Sequence, residues 1–244
     1  MFYWWSPTYW LFMAPALLLM LYAQWRVRSA YNKWSQVPSS HSMTGAKVAQ
    51  HLLSGAAVQQ QSGGSFGGVW LSGVAVQAVA GQMTDNYDPR SKTLNLSQGS
   101  LQGNSVASMA IVAHEIGHAA QDATRYPLMA LRSALVPVTN IGSRLGFFVF
   151  LAGFWLSFTP LIWLGILMFA SAFVFTLVTL PVELDASRRA MQMLTTSGLI
   201  VTNDDRQGAR AVLNAAALTY VAAMLSSLMT LLYYIFLARG RRRN

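Results

Sequence analysis

The chain reads as long charge-free apolar runs on either side of one polar block. From Phe2 to Ala23 no side chain carries a charge, which is enough to cross a bilayer core of about 30 Å, a task for roughly 20 helical residues. Tyr3, Trp4, Trp5, Tyr9 and Trp10 crowd one end of this run, and Trp25 lies past the other, as in an interfacial aromatic belt. No positive segment precedes the run and no small-x-small site closes it, so the pattern predicts a retained membrane helix rather than a cleaved signal. A second run, Leu145 to Pro181, is also uncharged. As one helix it would reach roughly 55 Å, too far for a single crossing. Ser157-Phe158-Thr159-Pro160 interrupts it and predicts two helices, about Ile141–Phe158 and Leu161–Leu180, joined by a tight turn. The third run, Ala211–Ala238, ends in Arg239-Gly240-Arg241-Arg242-Arg243. Four spans follow.

The polar block, residues 26–135, predicts a small mixed domain. Thr44 is placed to cap a short helix through Leu53, with Val48, Leu52 and Leu53 at helical spacing. Ser54–Gly73 is rich in Gly, Ser and Gln and reads as a flexible loop. Val74, Val76 and Val79 suit a strand, and Thr93–Ser97 a second. Asp85-Asn86-Tyr87-Asp88-Pro89-Arg90 between them is dense in turn formers, so Asp85, Asp88 and Arg90 are assigned to turn chemistry and surface pairing. Asn104 or Ser105 then caps a helix from Val106 to about Asp122.

Composition narrows the class. Hydrophobic residues make up 54% and charged residues 10%, against roughly 25% charged in an ordinary soluble domain. With 17 Lys+Arg against 8 Asp+Glu, the formal net charge is +9. No basic-aromatic patch or recognised nucleic-acid module accompanies it, so nucleic acid is excluded as a partner. The Arg239–Arg243 tail is assigned to anionic lipid. Arg26, Arg28 and Lys33 follow the first span, Arg132 and Arg144 precede the second, and Arg188 and Arg189 follow the third. The positive-inside bias therefore puts the polar block in the cytoplasm, although after four crossings the Arg-rich C-terminus falls on the opposite side. Cysteine is absent, which removes disulfides, thiolate nucleophiles and Cys-ligated metals.

The predicted fourth-quarter helix of the polar block contains Ala113-His114-Glu115-Ile116-Gly117-His118-Ala119. Histidines four apart share one helical face, so both imidazoles can reach one zinc ion, and Glu115 lies about 100° around, within reach of a water that the ion activates. With four His and two Glu in 244 residues, chance placement gives this pattern roughly once in two thousand such chains, so the motif is specific. Zinc lowers the pKa of water from 15.7 to about 7, and a neighbouring Glu can carry the proton to a leaving amine. A catalytic zinc needs a third protein ligand. His41 and His51 read as surface or loop residues, and Asp122, on the ligand face one turn beyond His118, as a hydrogen-bonding neighbour. Glu183, the other Glu, follows Leu180-Pro181-Val182, where an acid after so long an uncharged stretch must be solvated, paired or functional. It is the expected third ligand, with Asp185 as runner-up and Ser187, one turn on, as support.

These segments resemble the neutral zinc metallopeptidases of bacterial membranes, the YugP-like family. The likeness runs through Met43-Thr44-Gly45-Ala46, Thr84–Lys92, Asn104-Ser105, Ala113–Ala119, Arg132–Pro137, Leu180-Pro181-Val182-Glu183 and Leu213–Ala223, most of the chain from residue 20 onward. It implies a multi-pass, zinc-dependent peptidase of the bacterial inner membrane, with His114 and His118 as ligands and Glu115 as base. More loosely, the chain is similar to the membrane-embedded prenyl-protein and heat-shock metalloproteases, where a membrane hairpin separates the motif from a later Glu ligand and the site faces the cytoplasm. Those enzymes carry Glu-x-x-x-Asp; here the pattern is Glu183-x-x-x-Ser187, which leaves the supporting carboxylate to Asp122 or Asp185.

The expected protein is therefore mainly α, a multi-pass membrane protein with about four transmembrane helices and a small α+β zincin-like metalloprotease domain. Its division is a first transmembrane helix at 1–25, a zincin-like domain at 26–135, a transmembrane hairpin at 136–182, a third-ligand segment at 183–210, a last transmembrane helix at 211–238 and a basic tail at 239–244. The expected partners are membrane lipids and a protein or peptide substrate. Asn214 and Tyr220 are candidate oxyanion donors; Arg132, Asn140 and Arg144 are assigned to headgroups and helix pairing. Strand Thr93–Ser97 is a candidate edge for an extended substrate. The competing function is a non-hydrolytic membrane protein with a structural zinc or a scaffold role; it needs ligands but no Glu115. A zinc transporter is disfavoured, because no span carries mid-membrane His or Asp.

Overall fold

The computed structural model describes residues 6–54, 71 and 73–240. Its elements are α1 (Pro7–Trp34), α2 (Gly45–Leu53), β1 (Ala75–Val79), β2 (Asn86–Asp88), β3 (Thr93–Ser97), α3 (Gln98–Gln102), α4 (Val106–Ala123), α5 (Pro127–Trp155), α6 (Thr159–Thr196) and α7 (Asn203–Gly240). The protein is mainly α, and among the described residues four helices, α1, α5, α6 and α7, are long and apolar enough to cross a membrane. The chain forms two compact units: a helical unit of Met1–Gln24, Ala130–Pro181 and Leu218–Asn244, and a mixed unit of Trp25–Met129 and Val182–Ala217.

In the helical unit many large apolar side chains point outward, Leu11 being 75% and Leu167 71% exposed, an arrangement suited to lipid rather than water. Its hairpin closes through glycine. A Cβ on Gly165 would lie 2.4 Å from the Phe150 nitrogen, and one on Gly146 2.8 Å from the Phe169 nitrogen, so α5 and α6 meet backbone to backbone, as small residues permit in membrane helices. Stacking of Phe150 on Tyr234, with ring centroids 4.5 Å apart, adds α7 to this packing. The turn falls where the sequence places it. Ser157 adopts φ 56°, Phe158 O accepts from Leu161 N and Ile162 N, and Pro160 sits in the first turn of α6, where its missing N–H breaks no bond.

The mixed unit has a conventional apolar core. Leu94 and Leu96 of β3, Met109, Val112 and Ile116 of α4, and Val182, Ala190 and Leu194 of α6 are all buried in it, each leucine contributing about 1.5–3 kcal/mol. Thr44 caps α2 by accepting from Lys47 N, and Ser105 caps α4 by accepting from Ser108 N. The sheet has the order β1-β3-β2, with β1 parallel and β2 antiparallel to β3.

Several expectations change. Thr93–Ser97 is the central strand, its backbone paired on both sides and Leu94 and Leu96 fully buried, so it offers no edge to a substrate. Asn86–Asp88, read as turn, forms β2: its register on β3 sets Tyr87 opposite Leu94, and pairing outweighs local turn preference. Asp88 keeps the turn role that follows, accepting from Arg90 N and Ser91 Oγ, while Asp85 accepts from Ser97 N and Oγ at the start of α3. The hairpin helices are longer than predicted. α5 begins at Pro127 and ends at Trp155, and α6 runs through Pro181 to Thr196. A proline removes one helical hydrogen bond, but Val182, Ala186, Ala190 and Leu194 form a buried stripe four residues apart beyond it, which keeps the chain helical. Residues 183–210, read as a segment apart, are the end of α6, a turn with Gly198 at φ 72°, and the start of α7, and they belong to the mixed unit. The first helix extends past Ala23 to Trp34. Tyr3, Trp4, Trp5, Arg241–Arg243 and most of the Ser54–Gly73 loop lie outside the described residues.

Candidate metal centre

Helix α4 carries His114, Glu115 and His118, and α6 carries Glu183. The histidines share a face, with ring centroids 4.8 Å apart. Glu183 Oε2 stands 3.2 Å from His114 Nε2 and 3.3 Å from His118 Nε2. Helix packing makes this approach possible: a Cβ on Gly117 would lie 2.5 Å from the Ala186 carbonyl oxygen, so only a glycine lets α4 and α6 close this far.

The geometry fits a zinc ion. One ligand atom from each of His114, His118 and Glu183 lies within 4.8 Å of the others. Zinc bonds of about 2.0–2.1 Å arranged tetrahedrally separate neighbouring ligands by about 3.3–3.4 Å, close to the two histidine–carboxylate separations. Two nitrogens and one carboxylate oxygen are a donor set that zinc accepts, with one position left over. The His114 side chain is 13% exposed, while His118 and Glu183 are buried. Among the described residues, this is the one cluster of three such side chains placed to hold a metal.

The surroundings hold the two imidazole rings. Ser187 Oγ lies 3.2 Å from His114 Nδ1, supporting a histidine rather than Glu183 as expected. His118 Nδ1 lies 3.0 Å from Gln121 Oε1. Gln121 Nε2 donates to the Val182 carbonyl at 2.8 Å and to Asp185 Oδ2 at 3.0 Å. Asp185 also accepts from Arg188 and Arg189, and the Arg189 guanidinium lies over the Tyr126 ring. Glu115 is buried beside the ligands, and burial pushes its carboxyl up to about 7, against the opposing pull of His114 and a hydrogen bond from the Tyr87 backbone.

Asp185 is therefore no ligand in this arrangement but part of the frame behind His118. Asp122 accepts from Tyr87 Oη at 2.7 Å and from Lys92, tying β2 to α4 rather than supporting a ligand. His41 and His51 contact the Gly198 and Ser197 carbonyls. Asn214 is exposed and, among the described residues, no hydrogen bond joins it to the cluster; Tyr220 belongs to the helical unit. Gln121 was not singled out by the sequence. Its one signal was its place three residues after His118, on the same helix face.

The model of a family described as "Putative neutral zinc metallopeptidase" matches residues 9–239. A Bacillus subtilis (strain 168) protein named "Putative membrane protease YugP" is 39% identical over 230 residues, covering 94% of this chain and 96% of the relative. No solved structure matches. With nearly the whole length matched on both counts, the protein belongs to the neutral zinc metallopeptidase family.

Proposed function

We propose that this protein is a zinc-dependent membrane peptidase in which His114, His118 and Glu183 hold the metal and Glu115 is the general base. The observation that carries the reading is the convergence of three donor atoms within 4.8 Å, with a buried carboxylate one residue from a ligand on the same helix. Zinc in such a site supplies Lewis-acid polarisation of a carbonyl and a more acidic water. The chain's own residues do the rest. Glu115 takes a proton from the attacking water as its oxygen bonds to the peptide carbonyl carbon. It then delivers that proton to the amide nitrogen as the C–N bond breaks. Ser187 and Gln121 hold the two imidazoles with their Nε2 atoms toward Glu183, so no reorientation is needed at the moment of reaction.

The substrates we propose are proteins or peptides near the membrane surface. Four apolar helices and a relative named a membrane protease support this. A cytoplasmic site is supported by Arg26, Arg28, Lys33 and Arg188, which share the mixed unit with the cluster and follow the positive-inside bias. Because the chain has no cysteine, a single cysteine placed at the exposed Lys47 reports sidedness: protection from an impermeant thiol reagent in intact cells is expected, and labelling would reverse the orientation.

Glu115→Gln tests the mechanism. It should keep wild-type zinc content while kcat/KM falls by about 10²–10⁴-fold. A structural zinc site would lose nothing, and unchanged cleavage by a zinc-loaded variant would overturn the enzymatic reading.

A further inference from the structure

The amide of Gln121 is fully buried and touches both helices of the metal cluster. Its orientation is fixed by its partners. The Val182 carbonyl and the Asp185 carboxylate can only accept, so the amide nitrogen faces them. The oxygen is then turned to His118 Nδ1. An amide oxygen cannot donate, so His118 must carry its proton on Nδ1, which leaves Nε2 with a free lone pair on the side of Glu183. On the far side, Arg188 and Arg189 bind Asp185 and keep that carboxylate from turning away. The same amide nitrogen grips Val182, the residue immediately before Glu183.

We infer that Gln121 is a positioning residue that sets His118 in its metal-binding tautomer and, through Val182, holds Glu183 at the distance the metal requires. The inference rests on the proposed zinc site and adds the device that makes it pre-formed. It also explains an asymmetry between the two rings. Ser187 Oγ, the partner of His114, can donate or accept and fixes no tautomer. Gln121 can only accept from His118, so the second histidine is the committed one. A neutral amide stands where a carboxylate commonly backs a ligand histidine; the negative charge is one residue further out, on Asp185, and is balanced by arginine.

The test is zinc affinity of the full chain in detergent, measured by competition with a chromophoric chelator, alongside the thermal midpoint of the metal-free protein. Gln121→Met keeps length and apolar volume but lacks both hydrogen-bonding ends. It should bind zinc about 10–100-fold more weakly. Gln121→Glu should also weaken binding, because an oxygen would then face both the Val182 carbonyl and Asp185. Adding Asp185→Asn gives that oxygen a donor, and the double variant should regain part of the lost affinity, the Val182 carbonyl still facing an oxygen. A Gln121→Met protein with wild-type affinity overturns the inference, as does a folded double variant no better than Gln121→Glu. If Gln121→Met does not fold, the comparison of Gln121→Glu with the double variant decides alone. A wild-type chain that binds no zinc would instead refute the metal centre itself.

Discussion

The two units solve opposite problems with the same residue types. In the mixed unit, leucine and valine go inside: Leu94, Leu96, Val106 and Val112 are 0% exposed. Its buried polar groups are paired in chains such as Arg189–Asp185–Gln121–His118. In the helical unit many leucines and phenylalanines go outside, and between the helices a small aromatic cluster around Phe150 and Tyr234 is joined by glycine, serine and threonine contacts. Gly165 meets Phe150, Thr139 Oγ1 donates to the Ser171 carbonyl, and Thr176 pairs with Ser227. Lipid gives apolar side chains no reason to hide, so helices there associate by close backbone approach and short polar links. Water does give them that reason, and the mixed unit can use its apolar core to hold an expensive polar cluster rigid. The difference marks separate tasks: one unit presents an apolar surface suited to a bilayer, the other brings the candidate metal-binding groups together.

The sharpest break of this contrast uses exposure itself. Leu167 is 71% exposed, a position where a soluble protein tolerates charge. If it faces lipid, Leu167→Asp should cost about 2.5–3.5 kcal/mol on the insertion scale and sharply reduce the membrane-integrated fraction recovered by carbonate extraction. Glycine gives the next effect. Gly117→Ala and Gly165→Ala each force a Cβ within 2.5 Å of backbone, and each should lose about 1–3 kcal/mol, read as a lower thermal midpoint. They should part on zinc: Gly117→Ala pushes α4 and α6 apart at Ala186, beside Glu183, and weakens metal binding, whereas Gly165→Ala meets Phe150 far along α6 from Glu183 and weakens it much less. The smallest effect belongs to Val201, 63% exposed in the mixed unit. Val201→Lys should shift stability by no more than about 0.5 kcal/mol, and a loss matching that at Leu167 would erase the distinction between the two surfaces.

What the sequence could show follows from how far each feature reaches along the chain. The charge-free runs predict four membrane helices because lipid solubility is a local property of about 20 consecutive residues. The histidine pair is visible because helical spacing alone puts His114 and His118 on one face. Glu183 is found by elimination, as the chain's other glutamate at a costly location. Nonlocal pairing is what escaped. β3 sits in the middle of the sheet because β1 and β2 come to it from either side, and nothing in Thr93–Ser97 encodes its neighbours. α6 passes Pro181 because Val182, Ala186 and Ala190 find a buried face, which local propensity does not register. Gln121 acquires its role only when Val182 and Asp185, more than 60 positions away in the chain, arrive beside it.

The most direct measurement is the zinc content of the purified full chain beside that of Glu183→Ala, after dialysis of both under identical conditions. The account predicts one zinc per wild-type chain and its loss from the variant, with the fold retained by circular dichroism. A Glu183→Ala protein that keeps the wild-type metal content would contradict it, since the carboxylate between the two imidazoles would then have no part in holding the ion.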